Sequence, residues 1–222
     1  MVMAEAPWTT PSQELFLSAG QVHLWLVSTN RSEVSAKRLQ SVLSSSELES
    51  CFRLTRSSYR CRCIAVRAAL RAILGSYLRV PPSALAIAAS PSGKPYLDNQ
   101  VHDRHPLHFS ISYSADFAVI AVGRGLQVGI DVERIRSMRS SAEILSNFFS
   151  KAEEAWVRSH QDDEKAEAFI RVWTRREAAS KAVGSGLMAS FLNFSVPAMP
   201  HSPGGFSLVL PESTGETVGL KR

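Results

Sequence analysis

Cysteine is scarce: among 222 residues only Cys51, Cys61 and Cys63 carry a thiol. The number is odd, all three lie in one arginine-rich helical stretch, and the Cys-x-Cys pair has no second Cys or His cluster to complete a zinc site. A chain of this length needs no disulfide scaffold, and reduced thiols in a cytoplasmic protein are expected. Long hydrophobic runs are missing as well. Apolar stretches such as Val22 to Val27 and Phe117 to Val122 have the length of strands. Met1 to Pro11 lacks a basic region followed by an apolar run, so neither membrane spanning nor export is expected. Aromatic-interleaved basic repeats, zinc-finger spacing and a ribonucleoprotein signature are also absent. Those absences matter because the net charge is +5 and the pI about 9.4, which favours an anionic partner. No nucleic acid is expected in that role; a phosphorylated cofactor or an acidic protein suits the charge.

What is present is enough chain for one large domain or two half-size lobes. Val22 to Val27 reads as a strand, and Ser45 to about Leu78 as one or two helices, with Ile64, Leu70, Ile73, Leu74 and Tyr77 on a 3.6-residue period. Pro81-Pro82-Ser83 opens a new element, and Pro91-Ser92-Gly93-Lys94-Pro95 is a turn that resists helix and central strand alike. His108 to Ser112 and Phe117 to Val122 form a hairpin pattern. Further on, Ser141 to Phe149 looks helical, Ser150 begins a capping box with Glu153, and Ala166 to Val183 is a long helix stopped by Gly184-Ser185-Gly186. Phe191 to Val196 and Phe206 to Leu210 return to strand character, and the last dozen residues are polar with little to pack. The fold class is α+β, with lobes at residues 1–127 and 128–222.

Two segments carry candidate chemistry. In Val128-Gly129-Ile130-Asp131-Val132-Glu133 a period of two places both carboxylates on one face of a strand. In the helix that follows, Trp173, Glu177 and Lys181 stand at i, i+4 and i+8, about 6 Å apart per step on one side. Three carboxylates and a lysine then suit a divalent cation such as magnesium, which takes oxygen ligands and substrate phosphates. Taken alone, the same residues are better explained as a solvated strand face and a surface ion pair. The neighbours add to the first explanation. Lys94 stands on a proline-bounded loop, Ser110, Ser112 and Ser114 share one strand face, and Arg62 lies in the arginine-rich helix, all groups suited to phosphate oxygens.

Gly93-Lys94-Pro95, Phe109-Ser110-Ile111-Ser112-Tyr113-Ser114, Gly129-Ile130-Asp131-Val132-Glu133, Phe149-Ser150-Lys151-Ala152-Glu153, and Trp173-Thr174-Arg175-Arg176-Glu177 with Lys181 occur in this order. Single motifs of this kind are weak, but five in order are specific. The set resembles 4'-phosphopantetheinyl transferases of the larger, surfactin-synthetase-activating type, over roughly residues 50–196. The resemblance implies two similar α+β lobes in pseudo-twofold arrangement with coenzyme A in the cleft between them. It implies transfer of the 4'-phosphopantetheine arm to a serine of an acyl or peptidyl carrier protein, with release of adenosine 3',5'-bisphosphate. By the same resemblance Asp131, Glu133 and Glu177 hold magnesium, and Glu177 and Lys181 are catalytic. Arg62, Gly93, Lys94, Pro95, Ser112, Tyr113, Arg176 and Lys181 contact coenzyme A. The chain departs from the pattern at Tyr113, where histidine is usual, at Arg176, where lysine is usual, and in its short C-terminal end. A monomer in the cytoplasm is expected, and a non-catalytic module binding coenzyme A or a carrier is the alternative.

Overall fold

The computed structural model describes residues 15–30, 32–98, 103–135, 145, 147–184 and 196, with the backbone of 206–209 and 217–220. In chain order its elements are β1 (Val22–Ser28), α1 (Glu33–Leu39), α2 (Ser45–Phe52), α3 (Ser57–Leu78), β2 (Ile87–Ala89), β3 (Pro95–Leu97), β4 (Leu107–Ser114), β5 (Phe117–Arg124), α4 (Lys151–Arg158), α5 (Lys165–Val183), β6 (Phe206–Val209) and β7 (Thr217–Leu220). Period-two alternation in β1, β4 and β5 produces an antiparallel sheet in the order β1-β5-β4, and β2 pairs with β3. The expected hairpin is β4–β5, with Ser114 opposite Phe117. The expected helix over Ser141 to Phe149 lies largely, and the strand over Phe191 to Val196 almost wholly, outside the described residues.

One sheet face packs on α3. The helical stripe Leu70, Ile73, Leu74 and Tyr77 buries against Phe109, Ile120 and Val122. Ile64, read as part of that stripe, joins a separate cluster with Ala36, Cys51 and Cys61. There the expectation of three reduced thiols is corrected: Cys51 and Cys63 form a disulfide, their Cα atoms 5.6 Å apart, while Cys61 is a buried free thiol. The pair that bonds is the one brought together by packing of α2 on α3. Cys61 points about 200° away from Cys63 around the helix, so the local Cys-x-Cys spacing concealed the partner. A second core, built by Leu145, Phe149, Val157, Ala168, Phe169, Val172 and Val196, lies around α4 and α5.

The two halves repeat one device. Ser44 caps α2 in a capping box with Glu47, whose carboxylate accepts from Arg71 Nε of α3 at 2.7 Å. Ser150 caps α4 in a capping box with Glu153, which accepts from Arg176 of α5 at 3.0 and 2.7 Å. In each case a short helix opens on a buried carboxylate that a long helix neutralises. Glu153 and Arg176 are each 1% exposed, and Glu153 also accepts from Val196 N. Glu153→Ala would leave a buried guanidinium without its counter-charge. A loss of about 3–5 kcal/mol is expected, read as a lowered midpoint in chemical denaturation, with Glu153→Gln milder.

The C-terminal end is also corrected. Rather than polar chain with little to pack, Thr217–Leu220 pairs antiparallel with Phe206–Val209 and supplies one further strand. No described helix is long and apolar enough to cross a membrane.

Candidate active site

β4 presents Ser110, Ser112 and Ser114 on the face opposite α3, because side chains alternate along a strand. The acidic segment after β5 runs along this row. Ser110 Oγ accepts from Ile130 N at 3.2 Å, Ser112 Oγ donates to Asp131 Oδ1 at 2.7 Å, and Ser114 Oγ donates to Glu133 Oε2 at 3.2 Å while accepting from Arg134 N at 3.0 Å. The expected strand over Val128 to Glu133 is therefore an extended segment outside the sheet. Serine hydroxyls hold it, and no backbone ladder joins it to β4 among the described residues.

The other side of the segment meets α5. A Cβ placed on Gly129 would lie 1.9 Å from Ala178 O and 2.5 Å from Ala182 N, so only glycine permits this approach of backbone to backbone. Two residues later Asp131 faces Lys181, whose Nζ donates to Oδ1 at 2.6 Å. Lys181 and Glu177 share a side of α5, one turn apart, as their spacing implies.

The electrostatics of this junction are unbalanced. Asp131 Oδ1 receives two donors, whereas its Oδ2 is buried without a hydrogen-bond partner among the described residues. Glu177 is 5% exposed. Burial, and then the charge of Asp131 with a smaller push from Glu133, raises its carboxyl to about 7 against the pull of Lys181. Three carboxylates against one ammonium leave two negative charges uncompensated when all are ionised. Among the described residues no three His, Cys, Asp or Glu side chains are already gathered at coordinating distance. The donor set nevertheless fits a hard divalent cation. It is all oxygen, it has a buried oxygen with no other use, and one of its carboxyls otherwise lowers the local charge by holding a proton.

Several expected contact residues have other work. Arg176 Nη1 donates to both oxygens of Glu153 in the second core. The resemblance named it as a coenzyme A contact; along α5 it points about 100° away from Glu177, its neighbour in sequence. Lys94 Nζ donates to Ala182 O at 2.9 Å and to Gln127 Oε1 at 3.2 Å, and burial lowers its pKa. Ser92 Oγ donates to Gly184 O at 2.6 Å, and Gly93 adopts φ +84° to turn the loop. The Gly93-Lys94-Pro95 loop thus caps the C-terminal end of α5, where the helix dipole favours a cation. Arg62 Nη2 donates to Asp116 Oδ1 at 2.6 Å in the β4–β5 turn. Tyr113 is 68% exposed on the face opposite the serines. Asp116 was not anticipated from the sequence, and no local pattern marks it. Gly129 was legible only as part of an alternation, although a glycine inside a strand-like run is itself a sign of close backbone approach.

Residues 29–124 match a family model described as 4'-phosphopantetheinyl transferase, N-terminal, and residues 127–216 one described as 4'-phosphopantetheinyl transferase superfamily. The 4'-phosphopantetheinyl transferase HetI of Nostoc is 33% identical over 201 residues, covering 90% of this chain and 84% of that one. The 4'-phosphopantetheinyl transferase Sfp of Bacillus subtilis is 28% identical over 182 residues, covering 82% and 77%. Among solved structures, a holo-(acyl-carrier-protein) synthase from Bacillus anthracis in complex with CoA (3',5'-ADP) matches with a TM-score of 0.35 and 23% identity, covering 46% of this chain and 93% of that one.

Proposed function

We propose an assignment of roles from one premise: this chain belongs to the 4'-phosphopantetheinyl transferase superfamily. It is a transferase that uses coenzyme A and modifies carrier proteins. In the proposed reaction a carrier serine Oγ forms a bond to the phosphorus that bears the pantetheine arm. The bridging bond to the adenylate phosphate breaks, and adenosine 3',5'-bisphosphate departs with that electron pair. Glu177 takes the serine proton, a role that suits a carboxyl held near neutrality. Lys181 fixes Asp131 and presents positive charge toward the phosphates. Magnesium, held by Asp131, Glu133 and Glu177, would supply the charge neutralisation that a pyrophosphate needs. Arg62, Ser112, Tyr113 and the Gly93-Lys94-Pro95 loop stand as the coenzyme A contacts.

The observation that carries this reading is the buried Oδ2 of Asp131, unpartnered among the described residues, within a surplus of carboxylates. The division into lobes at residues 1–127 and 128–222 is supported by the two separate cores and by family models that meet there. We place the protein in the cytoplasm, where coenzyme A and apo carrier proteins are encountered.

The test is direct. Incubated with coenzyme A, magnesium and apo acyl or peptidyl carrier protein, the protein should add one phosphopantetheine arm, seen as a mass gain on the carrier. Chelation of the metal should stop the gain, and Asp131→Ala should lower the rate by about a thousandfold. Coenzyme A binding without a mass gain on either carrier type would instead support the non-catalytic module.

A further inference from the structure

The disulfide between Cys51 and Cys63 fastens α2 to α3. The second half of the chain makes the equivalent contact without one. There α4 meets α5 through a capping box and a buried carboxylate–guanidinium pair. The same parts, Ser44 with Glu47 and Glu47 with Arg71, already join α2 to α3. No cysteine follows Cys63 in the sequence, so the covalent bond is an addition to one half of a repeated device.

The two sulfurs of this bond stand in different surroundings. Cys51 is 0% exposed, in the cluster with Ala36 and Ile64, while Cys63 is half-buried at the margin of that cluster. Reagents in solution therefore meet Cys63 first. Arg60 and Arg67, three residues before it and four after, share its side of α3 and are half-buried themselves. Arg60 Nε is buried without a hydrogen-bond partner among the described residues, and its guanidinium lies 5.5 Å from the ring centroid of Phe52, the residue after Cys51. Arg67 has no ion-pair partner among the described residues. Between Glu49 and Asp98 the sequence offers no carboxylate to balance them locally. Positive charge beside a thiol favours its thiolate, the form that attacks peroxides and disulfides.

We propose that Cys63 and Cys51 are a redox-active pair that hydroperoxides close and dithiols open, with Cys63 the attacking thiolate and Cys51 the resolving thiol. In closing with hydrogen peroxide, Cys63 Sγ bonds to one peroxide oxygen and the O–O bond breaks. Hydroxide departs, recovers the proton that the thiol had released, and leaves Cys63 as a sulfenic acid. Cys51 Sγ then bonds to that sulfur, the S–O bond breaks, and a second water leaves with the Cys51 proton. Two thiols and one peroxide become one disulfide and two waters; the sulfurs lose two electrons and the peroxide gains them. In opening, a thiolate of the dithiol attacks the Cys63 sulfur, and Cys51 leaves and takes up a proton. The second thiol of the dithiol then displaces Cys63 as the reductant closes its own disulfide. The use of such a pair in the cell rests on the cytoplasmic placement proposed above, since disulfides of reducing compartments are transient. The chemistry of the pair stands apart from it.

Thiol counting on the full chain tests the pair. The protein is reduced with dithiothreitol, desalted and treated with hydrogen peroxide near neutral pH, then alkylated in denaturant and weighed by mass spectrometry. All three cysteines should be alkylated before peroxide and Cys61 alone after it, and dithiothreitol should restore the first pattern in the native protein. In Cys51→Ser, dimedone should trap Cys63 as its sulfenic acid, whereas Cys63→Ser should show no trapping at Cys51. Arg60→Gln/Arg67→Gln should slow closure by peroxide about tenfold. Arg60→Lys/Arg67→Lys, which keeps the charge, should hold the wild-type rate within about twofold and so separates charge from packing. Three free thiols after peroxide overturn the proposal. So do a sulfenic acid on Cys51 instead of Cys63, a disulfide that dithiothreitol opens only in denaturant, and lysine variants as slow as the glutamine ones. None of these readouts uses coenzyme A or a carrier, so failure of the transferase reading would leave the pair standing.

Discussion

Glu177→Gln should yield a protein that is more stable than the parent and about a thousandfold slower. The activity loss follows from removing the proposed base and one cation-holding carboxylate from the reaction centre. The stability gain follows from the charge surplus. In the folded, metal-free protein the Glu177 carboxyl sits at about 7, raised from 4.5 by burial and by Asp131 and Glu133. Below about pH 4.5 both folded and unfolded chains hold the proton, and the shift has no effect. As pH rises toward 7 the unfolded chain releases it first, so folding grows less favourable, by on the order of 3 kcal/mol at most once Glu177 is ionised in both states. Glutamine stays neutral throughout. Denaturant titrations in a chelating buffer should therefore show Glu177→Gln above wild type at pH 8, by about 1–3 kcal/mol, and level with it below pH 4.5. Added magnesium should narrow the gap at pH 8 by binding only the parent carboxylate set. A variant no more stable than wild type at pH 8 would mean that the three carboxylates do not repel one another as the fold implies.

Gly129→Ala should be the most damaging added methyl at any glycine among the described residues. Its Cβ would meet the carbonyl oxygen of Ala178 and the amide nitrogen of Ala182, both backbone atoms of a helix that cannot rotate out of the way. Either the acidic segment lifts from α5 or the helix retreats, and both moves separate Asp131 from Lys181. We expect more than about 4 kcal/mol of destabilisation, beyond the usual range for overpacking, and transfer reduced by at least a hundredfold in whatever protein folds. Truncating the facing side chain with Ala178→Gly should not rescue either property, because the obstruction is not a side chain. Full rescue by that second change would show that the segment and the helix are spaced differently.

Much of the fold was legible in the sequence where local physics governs. The hairpin of β4 and β5, the capping box at Ser150 and the glycine stop after Val183 all depend on patterns a few residues long. Alternation also placed Ser110, Ser112 and Ser114 on one face. Missed were the contacts that tertiary packing alone decides. Cys51 finds Cys63 across two helices, and Arg176 turns toward Glu153 although it adjoins Glu177. Lys94, read as a phosphate contact, also ties its loop to the end of α5, a bond no local pattern announces. The segment from Val128 to Glu133 has the alternation of a strand, and its side chains are disposed accordingly. Periodicity cannot say whether the next chain offers carbonyls or hydroxyls, and here it offers hydroxyls.

That substitution has a kinetic consequence. A ladder strand opens only with its sheet, whereas a segment suspended from three serine hydroxyls opens one torsion at a time. The amides of Ile130 and Arg134, bonded to Ser110 and Ser114, belong to a more readily opened layer than the β4–β5 ladder behind them. The sheet keeps the address of the acidic residues, and the amides hung on its serine hydroxyls are expected to exchange their hydrogens with solvent ahead of the ladder.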